Sequence, residues 1–92
     1  MKKTVEIEYV GIEDVQDILD DAFALMREGH YVSVEVHSMS GTPKVDVYVM
    51  LGGWDANKTL DYAFRFYMTE GNTNIKEMNS CKVALKKLLV EE

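Results

Sequence analysis

The sequence predicts an α+β fold in the order β-α-β-β-α-α, with a three-stranded mixed sheet of order 1-3-2 and the helices packed on one face. Three observations carry this reading. Apolar and polar residues alternate over three short segments, apolar residues recur at helical spacing over three longer ones, and glycine-bearing turns separate them.

Val5, Ile7 and Tyr9 alternate with Thr4, Glu6 and Glu8, so Thr4 to Val10 reads as a half-buried strand that Gly11 ends. From about Glu13 to Glu28, Val15, Ile18, Leu19, Ala22, Phe23 and Met26 recur at helical spacing, and Gly29 stands where a left-handed stop belongs. Tyr31 to Ser38 alternates again, with Val32, Val34 and Val36 set against Ser33, Glu35 and His37. After the turn-forming segment 39–44, Val45, Val47, Val49 and Leu51 alternate with Asp46, Tyr48 and Met50, which makes the pair a hairpin. A crossover followed by a hairpin lets the third strand lie between the first two, hence the 1-3-2 order.

Gly52 and Gly53 end the hairpin, and Asp55 reads as the N-cap of a second helix running to about Thr69. On that helix Leu60, Ala63, Phe64 and Tyr67 share one face, while Tyr62 and Phe66 lie about opposite. Asn74 with Glu77 gives a capping-box pattern for a third helix, whose stripe is Ile75, Met78, Cys81, Leu85, Leu88 and Leu89. The stripe is long enough to cover Tyr62 and Phe66; left uncovered, those two rings become a contact for a second copy. Repeats, low-complexity segments and linkers are absent, so residues 1–92 read as one domain.

Composition narrows the function. The net charge is −6, and residues 1–43 hold nine acids against three bases while residues 44–92 hold seven of each. Such a chain repels phosphate backbones, which disfavours direct nucleic-acid binding and favours a basic partner. One cysteine, no apolar leader and no apolar run of spanning length make a cytoplasmic protein without a membrane contact the expectation.

Motifs for chemistry are weak. Gly52 to Thr59 approaches a phosphate loop, but Asn57 replaces the last glycine, Trp54 would crowd the loop and Asp55 would repel the anion. A strand-to-helix connection with Trp54 plugging the core is the simpler reading. Asp17, Asp20 and Asp21 could share a hard cation, yet they lack the glycine-turned loop and the second ligand segment of a calcium site. Cys81 lies on an apolar stripe, and neither His30 nor His37 can be set beside it. No enzyme activity, metal or cofactor is therefore expected.

Two acidic surfaces remain. Glu13, Asp14, Asp17, Asp20, Asp21 and Glu28 lie on one side of the first helix with only Arg27 nearby. Glu6, Glu8, Glu35 and Asp46 point to the outer face of the sheet, joined there by His37, Tyr48 and Met50. A solvated face explains either one, but acid left without lysines at pairing distance is easier to understand if a basic surface meets it. In size, acidity and lack of catalytic motifs the chain resembles phage-encoded inhibitors such as anti-CRISPR and antirestriction proteins; the likeness is one of type, and no residue is carried over. The expected function is thus a small acidic interaction module that presents these surfaces to a basic, nucleic-acid-binding protein. The alternative is a homo-oligomeric accessory domain built through Tyr62, Phe66 and the third helix.

Overall fold

The computed structural model describes residues 9–38 and 40–91 of the chain, without the side chain of Glu91. Helix α1 spans Ile12–Arg27, strands β1, β2 and β3 span Tyr31–Ser38, Pro43–Met50 and Tyr62–Tyr67, and helix α2 spans Asn72–Glu91. The class is α+β, as predicted. The predicted first strand, with Glu6 and Glu8, lies outside the described residues except for Tyr9 and Val10.

Helix α1 starts and stops as its sequence dictates. Asp14 reaches back to accept the Gly11 amide at 2.9 Å. At the other end Gly29 adopts φ +96°. There the Gly29 amide donates to Met26 and the His30 amide to Leu25, the paired bonds that close a helix through a left-handed glycine. Val15, Ile18, Ala22 and Leu25 are buried, whereas Phe23 and Met26, predicted on the same stripe, are exposed.

Strands β1 and β2 form the expected hairpin, with Val32 opposite Val49, Val34 opposite Val47 and Val36 opposite Val45. The sheet itself differs from expectation. It is antiparallel throughout, in the order β1-β2-β3. The edge of β2 that the 1-3-2 order assigns to the first strand is occupied by Tyr62–Tyr67, which the helical reading of residues 55–69 had absorbed. The reason is periodicity. Tyr62, Phe64 and Phe66 alternate with Ala63, Arg65 and Tyr67, and an apolar segment that is greasy on both helical faces fits a pleated strand better.

Asp61 fixes the start of that strand. Its carboxylate accepts the Leu51 amide at 2.7 Å, and its own amide donates to the Val49 carbonyl at 2.8 Å, so both ends of loop 51–61 are tied to β2. Asp55, predicted to cap a helix, instead accepts the Asn57 amide at 2.9 Å in a local turn.

Helix α2 begins at Asn72, three residues before the Ile75 start that an Asn74 cap implies, so Asn74 is not its cap. The Asn74 side chain accepts from the Tyr67 amide and donates to the Glu70 carbonyl, securing the end of β3 to the helix. The predicted stripe buries as expected: Met78, Cys81, Leu85 and Leu88 join Val10, the α1 residues, Val32, Val45, Val47, Val49 and Phe66 in one core. Ile75 and Leu89 pack at its margin. This core uses the valine face of the sheet and leaves the opposite face, with Glu35, Tyr48 and Arg65, outside it.

Candidate functional site

The acidic face of α1 is partly neutralised from within. Lys82 of α2 sits 3.2 Å from Asp14 and 3.4 Å from Asp17, and Lys86 sits 3.1 Å from Asp21. Burial alone would lower the Lys82 ammonium, but its hydrogen bonds to Asp14 and Asp17 outweigh that and hold its pKa above the usual lysine value. The expectation of uncompensated acid along the whole face is therefore corrected: the compensating lysines come from a helix remote in sequence. Glu13 and Asp20 remain exposed, without an ion pair among the described residues. Asp17, Asp20 and Asp21 do not converge on a cation position, since no group of three or more such ligands does so among the described residues.

Asp46 is corrected in a similar way. It lies on the outer face of the central strand as predicted, yet only 4% of it is exposed. Arg65 Nε donates to Oδ1 at 2.8 Å, His37 Nε2 lies 2.8 Å from Oδ2, and Lys44 Nζ is 3.6 Å away. A carboxylate accepts only, so His37 Nε2 carries the hydrogen. Burial pushes the Asp46 carboxyl upward, but the bonds from His37 and Arg65 and the charges of Lys44 and Arg65 win, leaving it below the usual carboxylate range. Asp46 is thus an internal anchor that binds β1, β2 and β3 across the outer face, unavailable to a partner.

The loop 51–61 builds what the acidic reading missed. Gly52 and Gly53 take φ +81° and +103°, a left-handed pair that side chains with a Cβ resist, and turn the chain out from β2. The Gly52 amide donates to His30 Nδ1 at 2.9 Å, and the Asp55 amide contacts Met50 Sδ at 3.1 Å. Trp54, expected to plug the core, is 66% exposed, with its ring 5.2 Å from that of Tyr31 at a tilt of 58°. Tyr31, Tyr48, Met50, Trp54 and Leu60 line an open cavity of about 500 Å³ together with Glu35, Lys58 and Thr59. The sequence signal was a tryptophan directly after two glycines that end a strand.

The proposed aromatic contact separates into two fates. Phe66 is 1% exposed and belongs to the core beside Met78, Cys81, Leu85 and Leu88, so it is no oligomer contact. Tyr62 is partly exposed, and with Val83, Ala84 and Leu88 of α2 it lines a groove of about 300 Å³. Cys81 is fully buried, and burial, with Glu77 and Asp21 adding to it, pushes its thiol up to about 12. It is protonated at neutral pH and no nucleophile in this environment.

Comparison with protein-family models, with curated proteins and with solved structures yields no match for this chain. No described helix is long and apolar enough to cross a membrane.

Proposed function

We propose that this protein is an interaction module that meets a basic partner protein through the outer face of its sheet around Trp54. The observation that carries the reading is Trp54 itself, held on an ordered turn and leaning on Tyr31 while most of its surface stays in contact with solvent. A large aromatic kept exposed on an anchored loop suits a contact anchor, because its apolar area stabilises only when a partner covers it. The net charge of −6 selects the sign of the partner and steers its approach. Glu13 and Asp20 of the α1 face contribute to that field, whereas Asp14, Asp17 and Asp21 contribute less because α2 already pairs them. One form of such a partner is a nucleic-acid-binding enzyme, which the module would inhibit by covering its phosphate-binding surface.

The test is a capture experiment from host lysate with the wild-type chain and with Trp54→Ala, at low and high salt. Basic proteins retained by the wild type, released by salt and lost with Trp54→Ala support the reading. Equal capture by both chains rejects the sheet face as the contact.

A second reading rests on Tyr62 and Val83. Strand β3 is an edge of the described sheet, and the groove beside it sets Tyr62, Val83, Ala84 and Leu88 among Ser80 and Lys87, with Val83 exposed. We propose this edge as the homodimer contact if the chain self-associates. Sedimentation then gives a doubled mass that Val83→Glu returns to the monomer value.

A further inference from the structure

The Trp54 cavity combines aromatic walls with a carboxylate that no cation has engaged among the described residues. Its walls are the rings of Tyr31, Tyr48 and Trp54, all of which offer electron-rich faces. Its rim carries Glu35, a carboxylate with no ion pair among the described residues. The carboxylate directly across the ladder from Glu35 is Asp46, which is already engaged by His37, Arg65 and Lys44. Of these two acids only Glu35 is open to a ligand.

We propose that this pocket binds an arginine side chain of the partner, its guanidinium stacked among the three rings and donating to Glu35. The inference rests on the interaction reading above and names the group that this surface receives. Arginine fits better than an apolar side chain because the rings would supply area to either, while Glu35 remains unpaired beside an apolar guest. It also fits better than an ammonium, since a planar guanidinium can stack on a ring and still present a forked edge to a carboxylate. Lys58 lines the same cavity and opposes any cation there. It sits on the exposed part of the loop, and removing its charge should tighten binding.

Trp54 is the only tryptophan, so its fluorescence reports on this site alone. The experiment titrates the full chain with N-acetylarginine amide and with its neutral isostere, N-acetylcitrulline amide. We expect a saturable emission change with arginine and binding at least about fivefold weaker with citrulline. Glu35→Gln should weaken arginine about five- to tenfold without altering citrulline, and Lys58→Ala should strengthen arginine a few-fold. Equal response to the two ligands, no saturable response, or an unchanged arginine affinity in Glu35→Gln overturns the proposal. If these titrations fail while lysate capture still depends on Trp54, the arginine pocket is rejected and the interaction reading stands. If capture is also independent of Trp54, both fall.

Discussion

Arg65 stands directly opposite Asp46 in the β2–β3 register and donates Nε–H to its Oδ1 at 2.8 Å. On the other side of β2, His37 approaches the second oxygen from β1. One carboxylate thereby ties all three strands together on the face that the hydrophobic core does not reach. Removing it should weaken the sheet more than removing either exposed partner.

We expect Asp46→Asn to lower stability by about 1–2 kcal/mol at neutral pH, the scale of losing charge-assisted hydrogen bonds near a surface. The pH dependence follows from the lowered carboxyl pKa. Unfolded Asp46 titrates near its ordinary 3.8 and folded Asp46 below it, so in that interval the unfolded chain binds more protons. The stabilisation is complete above 3.8 and disappears as pH falls through the folded value. Urea unfolding as a function of pH should show the gap between wild type and Asp46→Asn closing in acid; a gap that persists there contradicts the assignment.

Lys82 gives the opposite limb. Its folded pKa lies above the ordinary 10.5, so its contribution is complete below that pH and is lost as pH rises through the folded value. Lys82→Gln should cost about 0.5–1 kcal/mol at neutral pH, and the more exposed Lys86→Gln less. Denaturant midpoints at pH 7 and in alkali check both statements.

Phe66 and Tyr62 share one face of β3 but differ in depth, Phe66 lying in the core and Tyr62 at its margin. As a core residue of β3, Phe66→Ala should cost about 3–5 kcal/mol. Tyr62→Ala, at the exposed edge, should cost about 1 kcal/mol. Similar losses at the two positions in equilibrium unfolding would refute the placement of Phe66 in the core with Tyr62 at its margin.

Gly53 should be intolerant for a backbone reason. Its φ of +103° strains any L side chain, and an added Cβ would approach the Gly29 carbonyl oxygen at 3.4 Å. We expect Gly53→Ala to destabilise by about 1–2 kcal/mol and to shift Trp54 emission, because the turn that carries the ring is altered. Unchanged emission in a folded variant would show that the turn does not position Trp54.

Cys81 should react with a thiol reagent only through unfolding. Its burial and its pKa of about 12 leave neither access nor thiolate at neutral pH. Labelling in increasing urea should track the unfolding transition, and rapid labelling of the native chain would contradict this packing.

Local pattern alone determined a good part of this molecule. The α1 stripe and its Gly29 stop, the β1–β2 hairpin, and the α2 stripe through Met78, Cys81, Leu85 and Leu88 follow from periodicity and capping, which neighbouring residues settle among themselves. Residues 62–67 could be read either way, because a short aromatic segment is apolar at both periods and only the open edge of β2 selected the strand. Charge was legible as composition but not as availability. Lys82 and Asp14 are 68 positions apart, and Arg65 and Asp46 are 19, so their pairing exists only once helices and strands are packed. The Trp54 pocket belongs to the same category, since Tyr31, Tyr48 and Trp54 meet through β-ladder register and a left-handed glycine turn. Side-chain chemistry is written residue by residue, but which carboxylates stay open to a partner depends on the cations that folding carries to them.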